Sequence, residues 1–299
     1  PQGGGNINRR RPTGRRDAVG KGLSETMNTP SPSPLHTDFE DITAQVSEGV
    51  GEIIFARAKA NNTVRPKTLQ EICTAVDLHV ADPNVKVIVL RGEGKNFSAG
   101  ADFSFLEELT RTPTAQVKSQ IYTHFQGAAR RLYHCPKPTI ALVQGAAVTV
   151  GCELALACDF RIADDSAFFQ EAWIRFGLLP PLGGLFLLPR LIGLGRAMDM
   201  CLRARSVKAA EALTIGLVSE VVAADELETR GKALADELKV LAPMAYSVIK
   251  EALHRGLETG MEAEWTANVA NQSVLMSSED FREGLDAAKQ RRKPQFKGK

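Results

Sequence analysis

Thr139-Ile140-Ala141-Leu142-Val143-Gln144-Gly145-Ala146-Ala147-Val148-Thr149-Val150-Gly151-Cys152-Glu153-Leu154-Ala155-Leu156-Ala157-Cys158 is the longest apolar run of the chain. As a single helix it would be about 30 Å long, enough to cross a bilayer. Glu153 inside the run and Lys137-Pro138 at its entrance argue against that. Gln144-Gly145 and Gly151 divide it instead. It reads as a buried strand, a glycine turn and a buried helix.

The same grammar extends in both directions. Residues 85–90 (VKVIVL) form a short, continuous apolar run rich in β-branched residues, as in a strand covered on both faces, and Gly92-Glu93-Gly94 closes it. Upstream, Ile42, Ala44 and Val46 alternate before Glu48-Gly49, and residues 50–56 follow, so a β-hairpin opens the domain. Leu69, Ile72, Cys73, Val76 and Val80 recur at helical spacing over 68–81, and 114–133 reads as an amphipathic helix. Residues 160–163 and 218–222 are further strands, each beside a helical segment. Strands alternating with helices predict an α/β layer structure. Beyond Asp225 the pattern is helical, over 226–241, 243–257, 261–276 and 279–290, with Pro243 at a first turn and Ser277-Ser278 before Glu279 as a cap.

Composition sets the outer limits. The chain has 299 residues, 43% hydrophobic and 24% charged, which supports a sizeable core and excludes a collagen, a disulfide scaffold or a fully disordered chain. Residues 1–34 carry Arg9, Arg10, Arg11, Arg15, Arg16 and Lys21 against Asp17 and Glu25. The overall charge of +2 therefore hides a basic segment and a slightly acidic body, a poor nucleic-acid binder. No apolar stretch follows the basic residues, so neither a signal peptide nor a membrane partner is expected. The expected organisation is a disordered tail over 1–34 with Met27 a candidate start, a core over 35–225 and a helical assembly region over 226–299. Five cysteines with no CxxC pair, most among apolar neighbours, read as small buried hydrophobes of a reducing compartment, hence a cytoplasmic protein. The five histidines fall in no HExxH or HxH pattern, and no metal is expected. Gly94-Lys95-Asn96 lacks the Ser/Thr of a phosphate loop, and Gly193-Leu194-Gly195 lacks the third glycine of a dinucleotide fingerprint.

Two glycine turns remain. Asn96-Phe97-Ser98-Ala99-Gly100-Ala101-Asp102-Phe103 leads from a buried strand into a helical stretch, with small residues around Gly100 that let the backbone bend sharply. Its amides suit a negative charge, although alone the turn reads as a strand-to-helix connection without a ligand. The second turn, within the opening run, places Glu153 in the first turn of a helix among Cys152, Leu154, Ala155 and Leu156. Poor solvation raises a carboxyl pKa toward the range of a general acid or base. Read alone, Glu153 serves equally as a stabiliser of the helix N-terminus or the partner of an arginine. Together the two turns can aim one N–H each at a shared carbonyl oxygen, which is an oxyanion hole.

At these residues the chain resembles the crotonase superfamily, the enoyl-CoA hydratases, isomerases and relatives. The resemblance runs from about Phe39 to Lys299. It rests on Asn62-Thr63-Val64, Phe97-Ser98-Ala99-Gly100-Ala101-Asp102, Lys137-Pro138-Thr139-Ile140-Ala141, and Gly151-Cys152-Glu153-Leu154-Ala155 with Cys158-Asp159. It continues through 209–222 (AAEALTIGLVSEVV), Ser278-Glu279-Asp280-Phe281-Arg282-Glu283-Gly284 and Arg292-Lys293-Pro294-Gln295-Phe296. The resemblance implies an α/β spiral of ββα units whose C-terminal helices build a homotrimer or a dimer of trimers. It implies an acyl-CoA substrate and no cofactor beyond the coenzyme A that the substrate carries. By position, Ala101 N–H and Val150 N–H would hold the thioester oxygen, and Glu153 would be the catalytic carboxyl. Lys59, Asn61, Thr63, Ala99, Asp102 and Phe103 match the strip that wraps CoA, with Gly151 and Trp173 toward the acyl group; Lys293 and Lys297 would reach CoA phosphates or lie solvated at the terminus.

Two departures stand out. Hydratases of this kind usually carry three glycines before the first glutamate; here the residues are Thr149-Val150-Gly151. A backbone N–H survives that change, while the added side chains should narrow the acyl pocket or shift the turn. The second hydratase glutamate is replaced by Trp173, and Pro181 supplies no aspartate where some relatives have one. Glu171 is two residues away and, by strand alternation, would share a face with Trp173. The expected activity is therefore of enoyl-CoA hydratase/isomerase type with Glu153 as acid/base. The alternatives are a CoA-thioester hydrolase or decarboxylase on the same scaffold, or a catalytically silent CoA-ester-binding protein.

Overall fold

The chain enters its main sheet through three antiparallel strands, β1 (Ser33–Pro34), β2 (Ile42–Ser47) and β3 (Val50–Phe55). Glu48 and Gly49, with φ of 50° and 84°, make the tight β2–β3 turn in the left-handed conformation that matches the twist of a hairpin. The computed structural model describes Ser33-Pro34 and residues 38–299; the expected tail over 1–34 otherwise lies outside the described residues. These described residues cluster as one compact unit.

After helix α1 (Pro66–Ala81) the sheet turns parallel with β4 (Val87–Gly92). The expected helix over 114–133 follows α2 (Phe103–Leu109) and is split in three: α3 (Thr114–Gln120), a π-helical turn (Ile121–Phe125) and α4 (Gln126–Tyr133). Next come β5 (Thr139–Val143), β6 (Ala146–Val148), α5 (Val150–Leu156), β7 (Phe160–Asp164) and β8 (Phe168–Gln170). Helices α6 (Gly184–Ile192) and α7 (Leu194–Arg203) lead to β9 (Val207–Lys208), α8 (Ala209–Thr214) and β10 (Glu220–Val222). Four helices complete the chain: α9 (Leu227–Leu238), α10 (Pro243–Gly256), α11 (Met261–Ser277) and α12 (Glu279–Gln290).

The main sheet has the order β1-β2-β3-β4-β5-β7-β10, parallel from β3 onward, and a small second sheet has the order β6-β8-β9. Strand alternation explains the apolar runs. Ile88 and Leu90 of β4, with Ala141 and Val143 of β5, face the core built with α1, α4 and α5. Val87, Val89, Ile140 and Leu142 face Leu227, Leu234 and Leu238 of α9 on the other side. A strand buried on both faces favours apolar side chains throughout, hence VIVL and IALV, while Thr139 at the start of β5 accepts from Asp159 N–H with its hydroxyl.

The C-terminal helices are tied back by charge. Lys250 of α10 meets Asp159, just before β7, at 2.8 Å, both nearly buried. The same carboxylate accepts from the Tyr246 hydroxyl at 3.0 Å and the Thr139 N–H at 2.9 Å. Beyond α12 the chain folds back on that helix, where Asp280 accepts from the Lys297 and Gly298 amides. No helix among the described residues is long and apolar enough to cross a membrane.

Candidate active site

The segment 96–102 lies between two others and is stitched to both. On one side Ala99 N–H donates to Asn61 O, Val64 N–H to Gly100 O and Asp102 N–H to Val64 O. On the other, Phe97 N–H donates to Gln144 O, Ser98 N–H to Ala146 O and Val148 N–H to Ser98 O. Glycine makes the approach possible. A Cβ on Gly151 would sit 2.7 Å from Ser98 Cβ, and Gly100 combines a φ of +100° with backbone 2.9 Å from where its Cβ would stand. Gly151, expected beside the substrate, thus serves first as the contact between the two turns.

The turns meet at Thr149. Ala101 N–H points at the Thr149 hydroxyl oxygen, 3.3 Å away. Val150 is the next residue and the first of α5; its N–H has no protein acceptor among the described residues. The amide of Ala101 is therefore held against the buried Thr149, the residue that precedes Val150.

One turn along α5 lies Glu153, 1% exposed. Its Oε2 accepts from the amides of Leu182 and Gly184, each at 2.8 Å, and its Oε1 accepts from Trp173 Nε1 at 3.1 Å. Burial pushes the carboxyl up to about 7, and the donors of Gly184, Leu182 and Trp173 hold it from rising further. The partner is thus neither solvent nor an arginine but the loop entering α6, where Gly183 has a φ of +121° and a Cβ on Gly184 would stand 3.1 Å from Oε2. The same loop lines a cavity of about 270 Å³ with Ala129, Tyr133, Ala157 and Phe186.

Trp173 stands in a 3₁₀ turn (Trp173–Phe176), buried, with its indole nitrogen on Glu153. Here the strand-alternation expectation for Glu171 fails: β8 ends at Gln170, and Ala172 is already in a turn conformation with ψ of 7°. Glu171 is fully buried, and neither carboxyl oxygen has a hydrogen-bond partner. Burial pushes it well above the carboxylate range, with the neighbouring Glu153 charge adding to the shift.

The remaining predicted positions line one edge. Lys59 and Asn61 are exposed at a 3₁₀ turn (Ala58–Ala60) and its left-handed cap, where Asn61 Oδ1 accepts from Asn96 Nδ2 at 3.0 Å. Thr63 Oγ1 donates to Asp102 Oδ2 at 3.1 Å, beside Arg57 at 3.0 Å. Hydrogen bonding by Ser104 leads the contacts that hold the Asp102 carboxyl down to about 2. Phe103 is exposed and packs edge-on against Phe176, centroids 5.8 Å apart. Sequence reasoning missed Arg57 as the partner of Asp102, and Leu182 and Gly184 as the donors to Glu153. The Pro180-Pro181 then Gly183-Gly184 pattern was the available signal for the second of these.

Comparison with known proteins identifies the family. Residues 45–299 match the family model described as enoyl-CoA hydratase/isomerase. A "Probable enoyl-CoA hydratase" of Rhodobacter capsulatus is 34% identical over 87% of this chain and 99% of its own length. A trans-2-decenoyl-[acyl-carrier-protein] isomerase of Streptococcus mutans is 30% identical over 88% of this chain and 100% of its own. The crystal structure of an enoyl-CoA hydratase from Bacillus anthracis superposes with a TM-score of 0.80 at 30% identity, covering 87% of this chain and 100% of that one. The mixed sheet, the glycine-joined turns and the C-terminal helices therefore form a crotonase fold, and the chain belongs to the enoyl-CoA hydratase/isomerase family of the crotonase superfamily.

Proposed function

We propose that the protein is an acyl-CoA-processing enzyme that moves protons on an unsaturated thioester, with Glu153 as the one catalytic carboxyl. The amides of Ala101 and Val150 would take the thioester oxygen, so that negative charge can develop there when a proton leaves the adjacent carbon. Lys59, Asn61, Thr63, Ala99, Asp102 and Phe103 would border the CoA moiety, and the cavity behind Leu182-Gly183 would take the acyl chain.

The observation that carries this reading is how the Glu153 oxygens are used. A carboxylate offers about four lone-pair sites. Oε2 spends two on Leu182 and Gly184, whereas Oε1 spends one on Trp173 and keeps one for a proton. A base titrating near 7 with one free lone pair suits enolate formation. Addition of water by the usual two-carboxylate route needs a second carboxyl, and Trp173 stands in its place. A 1,3-shift does not: Glu153 removes the proton next to the carbonyl of a 3-enoyl thioester and returns it two carbons on. Double-bond isomerisation is thus the better-supported half of the hydratase/isomerase pair, and the isomerase name of the Streptococcus mutans relative is consistent with it. One observation favours a silent binder instead, namely the sealing of Glu153 from solvent.

Incubation with 3-enoyl- and 2-enoyl-CoA esters, read by mass and double-bond position, decides among these. A shifted double bond without mass change is expected, and Glu153→Gln should lower its rate by roughly 10²–10⁴. Gain of water, release of free CoA or loss of CO₂ as the main product would replace isomerisation by hydration, hydrolysis or decarboxylation. Tight binding without turnover would establish the silent reading. We also place the protein in a reducing compartment such as the cytoplasm, on its five free cysteines, and as a homotrimer or dimer of trimers, on the apolar faces of α10 and α11.

A further inference from the structure

Thr149 adopts a conformation that threonine rarely tolerates. Its φ is 47° and its ψ −111°, far from the left-handed helical basin near ψ +47° and in territory that glycine alone enters freely. For a β-branched side chain this is strain, and it persists only where neighbours over-determine it. Here they do. Thr149 N–H donates to Gln170 O at 2.8 Å, and Thr149 O accepts from Glu153 N–H at 3.0 Å. The strained backbone delivers the hydroxyl to one point: Oγ1 accepts from Ala101 N–H, and it nests so close to Gly100 that a Cβ there would lie 2.2 Å from it.

We propose that the Thr149 hydroxyl is a built-in stand-in for the acyl oxygen. It holds the Ala101 amide while the site is empty and must swing away about its Cα–Cβ bond before a thioester can bind. The inference rests on the reading of Ala101 and Val150 as the pair that takes that oxygen. An oxyanion donor works when about 2.7–3.1 Å from the oxygen it holds. The Ala101 N–H is directed at the hydroxyl, so an acyl oxygen that takes a short, linear bond from it does so in the hydroxyl's place. The displaced bond is lost equally from the bound substrate and the transition state, so Thr149 sets how readily thioesters enter rather than how fast they react. The side chain is a positioning residue that weakens acyl-oxygen capture.

The series Thr149→Ser, Thr149→Ala and Thr149→Gly separates hydroxyl from bulk and from backbone strain. Butyryl-CoA, which has no double bond to shift, serves as the probe, with affinity from calorimetry and the carbonyl stretch of the ¹³C-labelled ester from infrared difference spectra. Ala and Gly should bind it roughly two- to tenfold more tightly, the worth of one net hydrogen bond. Ser should stay within about twofold of wild type, because it keeps the hydroxyl. With a 3-enoyl-CoA substrate the same two variants should lower KM and leave kcat unchanged. The proposal is overturned if Ala and Gly bind no tighter, or if Ser gains as much as Ala. A bound ester whose carbonyl stretch in wild type equals that of the free ester would overturn the amide-pair reading instead. A shifted stretch with no gain in the variants removes the Thr149 proposal alone.

Discussion

Glu153 and Glu171 show how far a carboxyl is governed by the donors around it. Both are buried, yet Glu153 receives three donors and settles near 7, whereas Glu171 receives none and is pushed well above the ordinary range. The unfolded chain releases both protons near pH 4.5 while the native state keeps them, so stability falls with rising pH. The Glu153 share is lost between about pH 4.5 and 7, and the Glu171 share continues to fall up to its own higher native value. Each group contributes about 1.4 kcal/mol per pH unit over its interval. Glu171→Gln should flatten this decline, so that variant and wild type, close at pH 5, diverge in favour of the variant at pH 8. Urea midpoints at the two pH values measure it, and equal declines would mean that Glu171 is ionised and solvated. The raised Glu153 carboxyl was legible from its neighbours Cys152, Leu154 and Ala155. Its donors were not, because they lie 20 to 31 positions away and are mostly backbone groups.

Among the elements, legibility follows length and how many faces are covered. β4 and β5 announce themselves as uninterrupted apolar runs because α9 covers the face that α1, α4 and α5 do not. The strands β6, β8 and β9 have two or three residues each, too few for alternation to register, and they surface only once β6 pairs with β8. The π-helical turn at Ile121–Phe125 interrupts a helix whose periodicity continues across it, and nothing in the local sequence marks the break. The attachment of α10 is a different matter, since a buried ion pair stands at its centre, beside the Tyr246 hydroxyl bond and the stacking of His254 on Tyr133. Removing one member of such a pair strands the other charge and costs about 3–5 kcal/mol. Lys250→Met should therefore cost about that much in chemical denaturation, partly offset by the bonds Asp159 keeps to Thr139 N–H and the Tyr246 hydroxyl. Lys250→Met with Asp159→Asn should recover a large part of the loss. If the double variant is no better than the single one, the pair is not what fastens α10.

For the whole molecule the unsolved account is α11, seventeen residues long with no buried side chain. Met261, Trp265, Val269 and Met276 fall at spacings of four, four and seven, one stripe of the helix, and all are exposed. Ile249 and Leu253 of α10, with Leu257 at its C-terminal cap, make a second exposed stripe, and α10 packs beside α11. A solvated helix does not keep a tryptophan and a valine 61% and 70% exposed on one line without something to cover them. Copies of the same chain, in threes or as paired threes, are the expected cover, and light scattering on the purified protein should return a mass of three or six chains. Trp265→Glu places a charge in the middle of that stripe, where association would have to desolvate it. The variant should fall to a smaller species while circular dichroism and the thermal transition of the single chain stay intact, because Trp265 supports no core residue. A wild-type mass of one chain would leave both stripes bare and remove self-association as the reason for them. A variant that keeps the wild-type mass would put the contact elsewhere on the surface.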